Sequence, residues 1–302
     1  MTALTIRTAA KINLCLRVLG RRADGYHEIE TVLHTVGLWD EVHLAETDSD
    51  TITLSSVSGE APTDETNFCW QAASLLAARA KPRRGVVIKI EKTIPFRSGL
   101  GGGSSDAAAT LVGLVRLWNL DLALDEVSGI AAEVGADIPF FLRGGCCLAR
   151  GKGEKVTQLP DLSACLVLVA PERRISTSQA YVALKRGATR GGRRGTSRPV
   201  QRFLDALKQG DLPAVGSALH NDFESVAMAG VADALRAKQH LLDAGCLGAA
   251  MSGSGSAVFG LTADREAAAR MAAQLEGSWP WVAVVPTVPS GSSMIIAEAE
   301  MF

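Results

Sequence analysis

Several common signatures are missing from this chain of 302 residues. No two cysteines stand as C-x-x-C. Cys15, Cys69, Cys146, Cys147, Cys165 and Cys246 are scattered, apart from one adjacent pair. That pattern suits neither a zinc site nor a disulfide framework, and the six thiols read as free and buried. No stretch approaches the roughly 18 uninterrupted apolar residues of a membrane-spanning helix. The opening MTALTIRTAAKINL lacks a basic segment followed by a long apolar one, so no secretory leader is expected. Both readings point to a soluble, cytoplasmic protein. The net charge is −1, so no global field draws the chain to nucleic acid or to a membrane.

Three nucleotide-binding signatures are absent as well. No glycine-rich loop ends in Gly-Lys-Ser/Thr, and no H-R-D occurs, which excludes the Walker A loop and the protein-kinase catalytic loop. The G-x-G-x-x-G spacing fails too. Counted from Gly99 its last position is Ser104, and counted from Gly101 it is Asp106.

Turning to what is there, the length suggests two domains, and a hydrophobic fraction of 47% can give each a sizeable core. From Lys11 to Val18 the side chains alternate as in a strand, with Ile12, Leu14, Leu16 and Val18 on one face and Lys11, Asn13, Cys15 and Arg17 on the other. A tight turn is expected at Arg22–Gly25. Further strands are expected over 28–36, 41–45, 51–55 and 86–91, and helices over 65–80, 104–118 and 125–134, the last stopping at Gly135. The pattern restarts near residue 160, with strands over 166–170, 257–261 and 282–285 among helices. This sets an expected division into 1–160 and 161–302. Between Lys185 and Arg202 lie Arg186, Arg190, Arg193, Arg194 and Arg198, with no acid. The stretch reads as a solvated loop. The sharper reading, an arm for anions or nucleic acid, lacks aromatic residues for base stacking.

The strongest chemical signal runs from Pro95 to Ala109. Gly99, Gly101, Gly102 and Gly103 lead straight into a helix, with Leu100 between the first two and Ser104 and Ser105 after them. Glycines let backbone amides approach an anion, and a helix start offers unpaired N–H groups and a partial positive charge. Together they form a phosphate cradle. Ser104 and Ser105 add hydroxyls able to meet phosphate or a magnesium ion. Met251–Ala257 is a second Gly/Ser turn beside a strand, and Gly135–Phe141 places Asp137 just past a helix end. Each of these two, alone, reads as an ordinary turn.

Taken together, the three segments resemble the GHMP kinase superfamily, whose P-x-x-x-G-L-G-x-x-S-S pattern is met from Pro95 to Ser105. The segments Ala10–Leu14 and Gly20–Glu28 narrow the resemblance to the branch acting on a cytidine diphosphate derivative of methylerythritol. The resemblance spans residues 9 to about 260. It implies a two-domain α+β fold with the active site in the cleft between domains. It implies ATP and Mg²⁺ as cofactors, a small-molecule substrate, and no nucleic acid or membrane partner. It leaves monomer and homodimer open. The implied reaction is phosphorylation of a substrate hydroxyl in isoprenoid biosynthesis. Lys11 and Asp137 match the family's catalytic pair. Pro95, Gly99, Leu100, Gly101, Gly102, Gly103, Ser104 and Ser105 match its ATP loop. Asn13, Tyr26, His27, Asp137, Thr177, Tyr181, Gly253 and Ser254 fall on its substrate side, with Tyr26 and Tyr181 expected to sandwich a flat base. Two features depart from the pattern: Phe96-Arg97-Ser98, where small or aliphatic residues are usual, and the arginine-rich stretch. Two other readings stay open. One is a GHMP kinase for homoserine, mevalonate or a sugar; the other is a non-catalytic nucleotide-binding protein on the same fold.

Overall fold

The computed structural model describes residues 2–57, 61–82, 84–185 and 196–299. The readings made on Arg186, Arg190, Arg193 and Arg194 lie outside the described residues.

In chain order the first half contains β1 (Ala3–Arg21), β2 (His27–Thr47), β3 (Ile52–Ser56), α1 (Phe68–Ala80), β4 (Gly85–Glu91), α2 (Gly102–Leu117), α3 (Leu124–Val134), α4 (Ile138–Arg143), β5 (Cys146–Gly151) and β6 (Lys155–Gln158). Then come β7 (Cys165–Val169), α5 (Thr177–Ala183), α6 (Arg198–Gln209), α7 (Leu212–Ala218), β8 (His220–Asn221), α8 (Ala229–Asp243), β9 (Gly248–Met251), β10 (Val258–Thr262), α9 (Arg265–Leu275), β11 (Val282–Pro286) and β12 (Met294–Ala299). One sheet has the order β12-β1-β2-β4-β3, with β5 and β6 continuing from β2 and β8 alongside β1. The other has the order β11-β7-β10-β9. The arrangement is mixed α and β, as expected. The last strand, β12, returns to pair antiparallel with β1.

The expected strands over 28–36 and 41–45 are one long strand, β2, because the register slips between Ala9 and Ala10 and lets the pairing continue past Gly37. Strict alternation along β1 also fails. A register shift between Asn13 and Cys15 leaves Leu14 without a partner on β2, so Cys15 is buried in the same core as Ile12 and Leu14. The strand is covered on both sides. Leu4 and Ile6 enter the core beneath α1 and α2, Ala10, Ile12 and Leu14 meet Leu168 and Phe259 of the second sheet, and Leu16 and Val18 join a third cluster with Val167 and Phe223.

Helix α2 lies closely on the first sheet. A Cβ at Gly113 would come within 2.3 Å of Leu44 Cδ1 and 2.7 Å of Ile6 Cδ1, so only glycine permits this approach. Helix α1 starts at Asn67, whose side chain accepts the Cys69 amide at 2.8 Å. Helix α3 ends at Gly135, which has extended backbone (φ −164°) in place of the left-handed geometry of an ordinary glycine stop. The turn at Arg22–Gly25 is present, with Gly25 at φ +88°.

Candidate active site

The glycine loop enters α2 through Gly101, which stands at φ +77° and caps the helix without a side-chain bond. The first amides of α2 therefore have no partner within the helix. A Cβ at Gly101 would come within 2.8 Å of both Lys11 Cγ and Phe141 Cζ. The glycine lets the lysine stem lie flat against the loop. Gly99, at φ +86°, passes so near the second Gly/Ser turn that a Cβ would meet Ser252 O at 2.1 Å. Three bonds join these segments. Lys11 N donates to Leu100 O at 2.9 Å, Ala257 N to Ser98 O at 2.8 Å, and Ser252 Oγ to Gly99 O at 2.9 Å.

Lys11 is buried, with Nζ donating to Asn13 Oδ1 at 2.6 Å and standing 3.8 Å from Asp137 Oδ2. Burial pushes the Lys11 pKa below the usual lysine value, while Asp137 works in the opposite direction. Asn13 Nδ2 in turn donates to Thr31 Oγ1 at 2.9 Å, which fixes the amide so that its oxygen faces the ammonium. Asp137 precedes α4 and is partly exposed.

Gly253, in the second turn, lies close to the same pair of β1 side chains. A Cβ there would be 3.3 Å from Lys11 Nζ and 3.5 Å from Asn13 Oδ1. Ser254 Oγ is 2.8 Å from Thr177 Oγ1, so two residues far apart in sequence share one wall. Tyr181, one helical turn beyond Thr177, is half-buried, and desolvation, with the charge of Asp137, raises its pKa. Its ring stacks on His27, with centroids 4.7 Å apart, and meets Phe223 edge-on at 4.8 Å.

One expectation needs correction. Ser105 does not offer its hydroxyl to the loop mouth. It is fully buried and donates to Ala9 O at 2.6 Å, with Thr8 Oγ1 also 2.6 Å away, because the second residue of the Ser-Ser pair faces the sheet. Ser104 is only half-buried. Tyr26 lies in the turn, 57% exposed, with Lys152 Nζ 5.0 Å from its ring centroid, and it is His27 that stacks on Tyr181. Burial, with Arg21 nearby, lowers the His27 pKa and favours its neutral ring.

Other departures are now placed. Arg97 has φ +52° and is exposed, its guanidinium 5.3 Å from the Phe96 ring, while Arg174 Nη1 donates to Phe96 O at 2.6 Å. Arg198 and Arg202 lie on the exposed side of α6.

Two supporting groups escaped the sequence reading. Beneath Gly102, Lys92 Nζ reaches both Asp40 and Asp106, with Asp106 Oδ2 at 2.6 Å. Asp40 Oδ1 also accepts the amides of Thr93 and Ile94 at 2.6 and 2.9 Å. Burial raises the Asp106 carboxyl to about 7, against the opposing pull of Lys92. The second group is Asn221, whose Nδ2 donates to Met251 O at 2.6 Å and Gly253 O at 2.8 Å, while its Oδ1 accepts the Phe223 amide at 2.9 Å. It holds the second Gly/Ser turn from behind. Neither group is signalled by spacing, since each is assembled from distant strands.

A glycine-cradled helix start beside a buried lysine and an aspartate, joined to a second Gly/Ser turn, defines a small-molecule kinase site. Comparison with known proteins agrees. The model of the GHMP kinases N terminal domain matches residues 67–145, and that of the GHMP kinases C terminal domain matches 203–280. The chain belongs to the GHMP kinase family, and its particular place there is among the 4-diphosphocytidyl-2-C-methyl-D-erythritol kinases. It is 40% identical to the enzyme of that name from Bacillus cytotoxicus, over 85% of this chain and 88% of the other. With that of Pelotomaculum thermopropionicum it shares 40% identity over 90% and 93%. A crystal structure of 4-(cytidine 5'-diphospho)-2C-methyl-D-erythritol kinase superposes with a TM-score of 0.77 at 33% identity, covering 94% of this chain and 98% of that one. A homoserine kinase from Cytophaga hutchinsonii, 19% identical with a TM-score of 0.76 and 98% coverage of both chains, shares the fold. Among the described residues, no helix is long and apolar enough to cross a membrane.

Proposed function

We propose that the protein uses ATP to phosphorylate the 2-hydroxyl of 4-diphosphocytidyl-2-C-methyl-D-erythritol, giving the 2-phosphate and ADP. The observation that carries this reading is the approach of Lys11 Nζ to Asp137 Oδ2 beside the glycine loop. The names of the relatives supply the substrate.

In this reading the amides at the start of α2 hold the nucleotide phosphates, with Pro95 to Ser104 shaping the loop. Asp137 orients the substrate hydroxyl and takes its proton. A carboxylate is a far weaker base than an alkoxide, so the proton moves late, as the new O–P bond forms. That bond forms while the bond from the γ-phosphorus to the bridging oxygen breaks, and the electron pair leaves with ADP. Lys11 offsets negative charge on the transferring group. Mg²⁺, held mainly by phosphate oxygens and water, would neutralise phosphate charge; among this chain's residues the half-buried hydroxyl of Ser104 fits it. His27 and Tyr181 bind the cytosine, with Thr177, Ser254, Gly253 and Asn13 lining the substrate side, and Tyr26 closes over the base from the turn.

We infer two domains, 1–160 and 161–302; the second sheet, whose strands all follow residue 160, supports this division, and β8 and β12 are later additions to the first sheet. The protein works in the cytoplasm, a setting that suits six free, buried thiols. The deciding experiment incubates the pure protein with Mg-ATP and the substrate and weighs the product. A gain of one phosphoryl group is expected. Turnover of homoserine or mevalonate in its place would overturn the reading.

A further inference from the structure

On the first sheet, apart from the catalytic residues, two carboxylates and an imidazole converge. Glu41 and His43 alternate on β2, and Glu91 on β4 is the register partner of Glu41. One ligand atom from each lies within 4.8 Å of the other two. His43 Nε2 is 3.5 Å from Glu91 Oε1 and 4.0 Å from Glu41 Oε2. The other ring nitrogen, Nδ1, is 2.9 Å from Thr5 Oγ1, its cross-strand partner on β1.

We propose that Glu41, His43 and Glu91 form a binding site for a first-row divalent transition metal ion, zinc in particular. A tetrahedral ion with bonds of about 2.05 Å requires donors roughly 3.4 Å apart. The His43–Glu91 pair already has that separation, and the His43–Glu41 pair needs only a small rotation of a surface carboxylate. All three residues rise from paired strands, so the backbone fixes their relative positions. Thr5 supplies the outer hydrogen bond that orients a ligating imidazole. One imidazole and two carboxylates suit zinc, whereas Ca²⁺ and Mg²⁺ prefer oxygen alone. The partial exposure of both glutamates leaves water access for a fourth ligand.

Two cations of the chain itself bear on the site. Arg7 Nε stands 3.4 Å from Glu41 Oε1, the oxygen turned away from His43, and can remain there. Lys89 Nζ lies 2.8 Å from Glu91 Oε1, the same oxygen that approaches His43, so it competes directly with an ion. Removing Lys89 should therefore tighten metal binding, an effect that a plain ion-pair cluster does not produce. The position also gives the ion a structural consequence. Glu41 follows Asp40 and Glu91 precedes Lys92, so the ion would clamp β2 to β4 where the buried Asp40–Lys92 pair lies beneath the glycine loop.

The test strips the full-length protein with a chelator, removes the chelator, and titrates Zn²⁺ by calorimetry and Co²⁺ by its visible absorption, without nucleotide. One equivalent should bind and raise the melting temperature. His43→Ala and Glu91→Gln should each weaken binding by about tenfold or more, Lys89→Met should strengthen it several-fold, and His240→Ala should change nothing. His43→Ala should keep its circular dichroism and its kinase activity with Mg-ATP in buffer freed of transition metals. The proposal is overturned if the unaltered protein binds Zn²⁺ no better than His43→Ala, or if Lys89→Met binds less tightly.

Discussion

Lys11 and Asp137 come together with Nζ 3.8 Å from Oδ2, although one sits on the first strand and the other on the turn before α4. The glycine loop packs against both elements: a Cβ at Gly101 would meet the lysine stem and Phe141 of α4 at 2.8 Å each. The missing side chain at Gly101 thus lets the lysine stem and α4 close together on the loop.

Asp137→Asn keeps the side-chain shape and removes the proton acceptor. A kcat loss of about 10²–10⁴-fold is expected, with the KM for ATP nearly unchanged. Steady-state kinetics check this, and an unaltered kcat would remove Asp137 from its assigned role.

The alkaline limb of activity should report Lys11. Burial lowers its folded pKa from 10.5, and Asp137 restores only part of the difference. The ammonium is therefore lost at lower pH than in free lysine, so kcat should begin to fall below the ordinary lysine range. The unfolded chain holds more protons across that window, so Lys11's contribution to stability rises with pH there. Lys11→Arg, which does not titrate in this range, should remove the limb while lowering activity through misfit.

Gly101→Ala should raise the KM for ATP. The position requires φ +77°, and a Cβ would press on Lys11 and Phe141 at 2.8 Å. The strain costs about 1–3 kcal/mol. Chemical denaturation measures that cost, and nucleotide titration measures the loss of affinity.

Asp106 predicts a stability trend of opposite sign to Lys11. Its folded pKa is raised from 3.8 to about 7 by burial, so the native state holds the proton longer than the unfolded chain. Stability should fall as pH rises between these values and level off above them. Asp106→Asn cannot titrate and should flatten that part of the profile, measured by urea unfolding from pH 4 to about 8.

Asn221→Ala leaves the carbonyls of Met251 and Gly253 without their buried donor. A loss of about 1–3 kcal/mol in stability is expected, with a lower kcat/KM for the substrate because the Gly253 turn borders Lys11. Asn221→Asp, which can still accept the Phe223 amide but cannot donate, should not rescue it.

By itself the sequence determined the local and chemically constrained features. The glycine loop was legible because positive φ and close backbone contact admit few residues, and α2 because its start and apolar content are local properties. The lysine and aspartate were legible only as members of a known pattern, since nothing in their own segments brings them together. Tertiary structure alone decided that Ser105 turns inward to Ala9 and that His27 takes the place beside Tyr181. It also decided that Asp40, Lys92 and Asp106 share a pocket beneath Gly102. Those choices depend on which strands pair, on a one-residue register shift near Asn13, and on how closely α2 approaches the sheet. Interactions across long sequence separations set all three, and they leave no periodicity in the chain.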